Sequence, residues 1–464
     1  MTRPRSLLAT IAVVAMLAPP LVAAAQGART AAHLTVRLVP GAIQASTPAT
    51  SAPPTTASCL ARSGGRVACY SPAQLRAAYD LAPLAAKGVE GQHQTIVIVD
   101  AFGSPTIAAD LKTFDTAFKL PAPPSLAIIQ PAGPVAPYTV NGTDRFGWAS
   151  ETTLDVEWAH ALAPKASIVL VETPTDEVEG ATGFPDIVTA ENYVVSHHLG
   201  TVISQSFGAT EQTFTSFSQL SGFRSAFIAA QKAGITVLAS SGDLGATDYE
   251  SNATAIYPFR TTSWPASDPL VTSVGGTKLT LSGAGTPLSP AVAWNDVGPP
   301  PEASGGGRSV FFTRPSYQSG IAALALGARA VPDISMSAAC SAQVDVYEGF
   351  SGPTPGSRPG WHEMCGTSEA SPLLAAIIAL ADQEAGKGLG LINAALYAMS
   401  AARTPGIVDV TSGNNTVKFI KSGKVVTVTG FQAAKGYDLV TGVGTVDAAK
   451  FVPALVKEVK ALAK

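Results

Sequence analysis

The chain has 464 residues, 46% of them hydrophobic and only 14% charged, with 30 Lys and Arg against 33 Asp and Glu for a net charge of −3. That length and apolar content can bury a large core, and the absence of a basic stripe excludes nucleic acid as the main partner. Its 43 Gly and 35 Pro mark a loop-rich chain without a collagen-like period, and neither wholesale disorder nor a multi-span membrane protein fits.

Arg3 and Arg5 precede an apolar run from Leu7 to Ala18, and Val22, Ala23, Ala24 and Ala25 supply small residues before Gln26. Basic, apolar and small segments in that order predict a secretory signal over residues 1–25. Pro19 and Pro20 interrupt the run well short of the roughly 20 residues a membrane span requires. The mature protein is therefore expected outside the cell, with no membrane attachment after cleavage. Residues 26–58, rich in Ala, Thr, Ser and Pro, read as a flexible leader or linker. Export favours disulfides among the four cysteines. Cys59 and Cys69 lie ten apart around Ser63, Gly64 and Gly65, a spacing that could close a small loop, which leaves Cys340 and Cys365 as a second pair. Composition does not settle the pairing, and the lack of C-x-x-C argues against a zinc ribbon or redox motif.

From about Tyr70 onward, residues 59–464 read as one large α/β domain. Short β-branched runs at Thr95–Asp100, Ser167–Glu172, Thr201–Ser206 and Thr236–Ser240 predict strands. Helical patterns fall between them at Ala108–Phe118, Glu151–Leu162, Pro185–His198 and Gly222–Ala233. This alternation predicts a parallel sheet with helices on both faces. Sites in such folds gather at the carboxyl ends of strands, where Asp100 and Asp243 both fall.

Three stretches carry residues suited to chemistry. In the first, Ser150 is a plausible helix N-cap and Pro164 a stop, and Glu151 and Asp155 share one helical face about 40° apart. Two carboxyls so close disfavour each other's ionisation, so one can hold a proton in acid. Alone, the pair also suits an exposed first turn that complements the helix dipole. The second, Ser240-Ser241-Gly242-Asp243, follows a strand directly, and a protonated Asp there could donate to a developing oxyanion. It also suits an Asx turn. In the third, Gly366-Thr367-Ser368 precedes an apolar helix at Leu373–Ala381, so Ser368 sits near a helix start, as a nucleophile or merely as a cap. The G-x-S-x-G elbow of esterases is missing because Ala370 holds its last position.

Taken together and in order, these motifs resemble the sedolisin (serine-carboxyl peptidase) family, relatives of the subtilisins. The E-x-x-x-D of Glu151 and Asp155, the S-G-D of Ser241 to Asp243 and the G-T-S-x-x-S-P of Gly366 to Pro372 carry the likeness. Tyr70-Ser71-Pro72-Ala73-Gln74-Leu75-Arg76 and the groove-like glycines Gly305 to Gly307 extend it over roughly residues 70–452. The resemblance implies a subtilisin-like fold and a peptidase in which Ser368 is the nucleophile, Glu151 its general base, Asp155 the acid that orients Glu151, and Asp243 the oxyanion aspartate. A carboxylate base works near its own pKa, about 4.3 for a free Glu, so acidic conditions are expected. The histidines His33, His93, His160, His197, His198 and His362 all lack the His-Gly-Thr-like setting of a subtilisin base. Asp100 is expected to be structural or to line the groove, and Phe207 and Trp294 to line it as well.

Two further segments resemble the family's calcium site. Asp409 and Asp438 would give carboxylates, and Val410, Ala434 and Gly436 backbone carbonyls, an oxygen-only set suited to one structural Ca²⁺. The chain departs from the family in having only a short, low-complexity stretch where a large folded prodomain is usual. The expectation is an exported monomer that cleaves protein or peptide substrates. A secreted non-catalytic binding or adhesion module that keeps the fold is the alternative; an esterase would need the missing elbow and a paired histidine.

Overall fold

Ile96, Val97, Ile98 and Val99 are all fully buried, as expected of a parallel strand covered on both faces rather than one with a wet side. In this computed structural model, which describes residues 52–296, 301–353 and 357–463, that run is the strand β1 (Thr95–Ala101) at the middle of an eight-stranded sheet. The sheet-forming chain continues through helix α1 (Ile107–Phe118), β2 (Leu126–Ile129), α2 (Thr143–Leu162), β3 (Ser167–Thr173), α3 (Phe184–Ser196), β4 (Val202–Gln205), α4 (Ser225–Ala233) and β5 (Thr236–Ser240). It then runs through β6 (Thr272–Lys278), β7 (Val292–Ala293), β8 (Ile334–Ser337) and the helix α5 (Thr367–Ala385). The strand order is β7-β6-β5-β4-β1-β3-β2, with β8 also paired to β6. Every pairing is parallel except that of β7 with β6.

Alternation along the strands sorts the core into two layers. Ile96, Ile98, Ile168 and Leu170 pack with Leu154, Leu373 and Leu374 of α2 and α5, whereas Val97, Val99 and Val171 pack with Phe184, Ile187 and Val194 of α3 and with Phe227 of α4. Helix α5 is buried without a break from Thr367 to Asp382, which explains its all-round apolar sequence and places it centrally. Both cysteine pairs are bonded, Cys59 to Cys69 and Cys340 to Cys365.

The expected strands agree with those observed to within a residue or so, but three expectations change. Ser150 caps nothing: α2 begins at Thr143, so Glu151 and Asp155 lie in mid-helix, buried rather than at an exposed first turn. The expected helix over 222–233 begins only at Ser225, and a separate short helix, Phe217–Ser221, precedes it. Ordered structure starts before residue 59, since a helix spans Thr56–Arg62 under a Thr55–Ser58 capping box. The signal segment 1–25 and residues 26–51 of the expected leader lie outside the described residues. Among the described residues, no helix is long and apolar enough to cross a membrane.

Burial of carboxyls makes the fold pH-sensitive. Glu191 of α3 is fully buried, neither oxygen has a hydrogen-bond partner, and burial alone raises its pKa to about 8. Glu157 and Glu369 are likewise buried and pushed well above the usual carboxylate range, chiefly by burial. A carboxyl whose pKa is raised on folding binds its proton more tightly when folded. Its contribution is whole below the unfolded pKa of about 4.3 and is lost as pH rises through the folded value. For Glu191 this is at most on the order of 5 kcal/mol. Thermal melts should therefore show wild type losing stability from about pH 4 to pH 8, with Glu191→Gln losing distinctly less. Equal losses in the two proteins would mean that Glu191 is charged or solvated in the fold.

Candidate active site

Helix α2 presents Glu151 and Asp155, four residues apart, to the N-terminus of α5, which carries Ser368 in its first turn. All three are fully buried. Asp155 Oδ2 accepts a 2.7 Å hydrogen bond from Ser206, whose hydroxyl also lies 3.3 Å from the Ser368 carbonyl. Ser206 thus joins the acid pair to the helix bearing the hydroxyl. It sits just beyond the tip of β4, a position that the strand-tip argument covers and the motif search overlooked.

Burial is the largest cause that pushes the Glu151 carboxyl well above its ordinary range, followed by the neighbouring Asp155 and Asp100. Asp155 is raised in the same way, first by burial and then by Asp100. The Ser368 hydroxyl opposes the rise at Glu151, as the Ser206 hydroxyl and the nearby Glu151 carboxyl do at Asp155. The contact from Ser368 to Glu151 is looser than a formed bond, since neither Glu151 oxygen has a partner at bonding distance. Such bonds often tighten only when substrate arrives. The charged neighbours that raise the two carboxyls, Asp100 and Asp243 beside the pair itself, are all carboxyls too, so the pair favours a shared proton over two charges.

Asp100, expected to be structural or to line the groove, lies close enough to this cluster to raise both of its carboxyls. It is fully buried at the end of β1, and burial raises its pKa to about 7. Its sequence setting shows only a strand tip; its influence on Glu151 and Asp155 depends on packing between elements far apart in the chain.

Asp243 follows β5 and faces the same helix start. Its Oδ1 accepts from both the Thr367 N–H and the Thr367 hydroxyl, each at 2.7 Å, while the Gly242 N–H donates to the Thr367 hydroxyl oxygen at 3.1 Å. Oδ2 is buried and has no partner. Burial is the main cause that raises the Asp243 pKa to about 7, with Asp248 adding to it and Thr367 opposing it. With Oδ1 committed to two donors, a proton on this carboxyl belongs on Oδ2, where it can be donated. Gly305 permits the neighbouring segment to close on this loop: its N–H donates to the Gly242 carbonyl at 2.7 Å, and a Cβ there would fall 2.1 Å from the Ser241 oxygen.

The two expected groove aromatics are in the core instead. Phe207 is buried against Trp148 and Phe184, and Trp294 is fully buried with its indole N–H on Asp296. His160 lies beside Asp115 and the Pro121 carbonyl, and His362 beside Glu348 and the Arg358 carbonyl. Neither histidine is placed as a base for Ser368.

The two calcium-like segments also meet. The Gly436 N–H donates to Asp409 Oδ2 at 2.9 Å, and the buried Asp438 carboxylate accepts from the N–H groups of Ala434, Val440 and Thr441. The carbonyls of Val410, Ala434 and Gly436 accept no hydrogen bond from the described residues. Two carboxylates and three uncommitted carbonyls on adjoining loops fit a hard cation in kind.

Residues 140–415 match the Subtilase family. Kumamolisin of Bacillus sp. (strain MN-32) is 30% identical over 389 residues, which cover 81% of this chain and 62% of kumamolisin. Sedolisin of Pseudomonas sp. (strain 101) is 34% identical over 279 residues, covering 59% of this chain and 43% of sedolisin. The chain thus spans less than two thirds of the length of these curated relatives. Among solved structures, Pseudomonas sedolisin, a serine-carboxyl proteinase complexed with two molecules of pseudo-iodotyrostatin, superposes with a TM-score of 0.68 at 26% identity, over 84% of this chain and 98% of that one. With the α/β sheet, the acid pair beside a helix-start serine and these likenesses in hand, the chain belongs to the subtilase family.

Proposed function

We propose that the protein is a secreted serine-carboxyl peptidase that hydrolyses peptide bonds in acid through Ser368, Glu151, Asp155 and Asp243. The observation that carries this reading is the convergence of three parts on one helix start: a serine, a proton-sharing acid pair, and an Asp whose spare oxygen can hold a proton. Glu151 takes the Ser368 proton as the hydroxyl oxygen attacks the substrate carbonyl, and Asp155, held by Ser206, orients Glu151. Asp243 donates from Oδ2 to the oxyanion. Glu151 then protonates the leaving amine, and water releases the acyl group by the same steps reversed. Proteins or peptides are the substrates, and the chain acts as a monomer.

Asp409 and Asp438 would hold one Ca²⁺ through their carboxylates, and Val410, Ala434 and Gly436 through their carbonyls. The ion would supply a fixed positive charge pinning the two loops, remote from the chemical steps. At free calcium of about 100 times Kd it adds about 2.7 kcal/mol of stability. A melting temperature that is the same in calcium and in chelator would remove the ion from the proposal.

The test is degradation of casein or haemoglobin from about pH 2.5 to 8, in wild type and Ser368→Ala. Cleavage in acid that disappears in Ser368→Ala is expected. A peak at alkaline pH, where Asp243 is ionised and cannot donate, would overturn the assignment of Asp243 and with it the acid-dependent mechanism. Absence of cleavage at every pH would favour a binding module built on the same fold.

A further inference from the structure

Cys365 is the last residue before the turn that delivers Ser368. Gly366 follows it at φ +118°, a conformation that residues with side chains rarely adopt, and Thr367 then opens α5 and bonds to Asp243. The partner cysteine, Cys340, lies in the short connection 338–341 between β8 and the strand Ala342–Glu348. That connection holds the serine turn twice. The Gly366 N–H donates to the Ala338 carbonyl at 2.8 Å, and the disulfide joins the next residue back. Ala338 is itself anchored, its N–H donating to Thr277 of β6.

The same connection reaches the oxyanion side by a separate route. Ser341 donates through both its N–H and its hydroxyl to Asp296, which also accepts the Trp294 indole N–H. The Trp294 carbonyl accepts the Ser304 N–H, and the neighbouring Ala303 N–H donates to the Asp243 carbonyl at 2.8 Å. Asp243 closes the circuit on Thr367. A closed ring therefore runs from the Ser368 turn through Cys365, Cys340, Ser341, Asp296, Trp294, Ser304, Ala303 and Asp243 back to Thr367. The Cys340–Cys365 bond is its one covalent cross-link, and both sulfurs are buried within the core.

We infer that the Cys340–Cys365 disulfide is a positioning element of the active site, setting the Ser368 hydroxyl against Glu151 and the Asp243 oxygen, and not only a brace for the fold. This inference rests on the peptidase reading above. The other disulfide supplies the control. Cys59–Cys69 joins the helix Thr56–Arg62 to the strand Ala68–Tyr70 and is not a link of the ring, which that strand touches only at its edge, through the Ala68 N–H on the Ser341 carbonyl at 3.0 Å. The two bonds close sequence separations of 10 and 25 residues, and chain entropy varies only slowly with loop length, so their removal should cost similar stability. A loss confined to one of them then reports position.

The experiment compares wild type, Cys340→Ala/Cys365→Ala, Cys59→Ala/Cys69→Ala and Asp296→Ala, assayed below their melting temperatures. Displacing a reacting group by ~1 Å can cost about 100-fold in rate. The expected result for Cys340→Ala/Cys365→Ala is a kcat lower by about 10- to 100-fold with KM changed by less than about 3-fold. Cys59→Ala/Cys69→Ala should keep its kcat despite a comparable drop in melting temperature. Amide exchange at Gly366 and Thr367, followed by mass spectrometry, should quicken in Cys340→Ala/Cys365→Ala alone among the disulfide variants. That readout needs no substrate, so it stands even if wild type cleaves nothing and the peptidase reading fails. Unchanged kcat and unchanged exchange, or equal losses in both disulfide variants, overturn the inference. If Cys340→Ala/Cys365→Ala does not fold, Asp296→Ala decides: it removes the acceptor of both Ser341 donors and so opens the ring with the disulfide intact, and an unaltered kcat there overturns the inference as well.

Discussion

Glu151→Gln should lower kcat by about 10⁴- to 10⁶-fold and leave the fold intact. The amide has nearly the shape of the carboxyl but cannot take the Ser368 proton. Nothing in the fold depends on the charge, because neither Glu151 oxygen accepts a hydrogen bond from its surroundings at bonding distance. The substitution removes an ionisable group whose pKa burial raises, so the variant should melt at a higher temperature than wild type at neutral pH. Asp155→Asn should be less severe, since Asp155 orients the base and takes no proton from Ser368 directly. Residues that act as one unit are not additive, so Ser368→Ala combined with Glu151→Gln should cost little more than either alone. Steady-state kinetics beside thermal melts would check all three. A Glu151→Gln enzyme within about tenfold of wild type would transfer the base to another group, with Asp100 the first to examine.

How far the sequence could lead depends on the range of the contacts involved. Strands β1 and β5 were legible almost to the residue because β-branched runs bounded by Gly, Asp and Ser report local preference directly. The alternation that predicted a two-faced parallel sheet reflects the same short-range pattern. Local signals failed at α2, where Ser150 has the composition of a cap but the preceding turns are held by the fold around them. They also failed at Phe207 and Trp294, since an aromatic beside a motif reads alike whether it faces a groove or the core. For the site, motif order brought out Glu151, Asp155, Asp243 and Ser368, whose spacing along the chain is distinctive. Ser206 and Asp100 belong to no such spacing. Their importance arises where β4 and β1 end beside α2 and α5, a neighbourhood assembled only by tertiary packing.

At Asp243 two substitutions should behave differently, and the difference carries the mechanism. Asp243→Ala removes the donor from the oxyanion and leaves the Thr367 N–H and hydroxyl without their acceptor, so kcat should fall by about 10²- to 10³-fold. Asp243→Asn keeps an oxygen for Thr367 and places an NH₂ group at the Oδ2 position, so it should retain considerably more activity. The pH profile separates the two further. In wild type Asp243 donates only while protonated, and its pKa of about 7 in the free protein should set the alkaline limb of kcat/KM. An amide does not titrate in this range, so in Asp243→Asn that limb should move upward or flatten, read at temperatures where both proteins remain folded. The sign follows from the proton: Asp243 supports the reaction below its pKa and, as a carboxylate, repels the oxyanion above it. An Asn variant as damaged as the Ala variant, or one with an unmoved alkaline limb, would show that Asp243 holds Thr367 in place and does not touch the reacting oxygen.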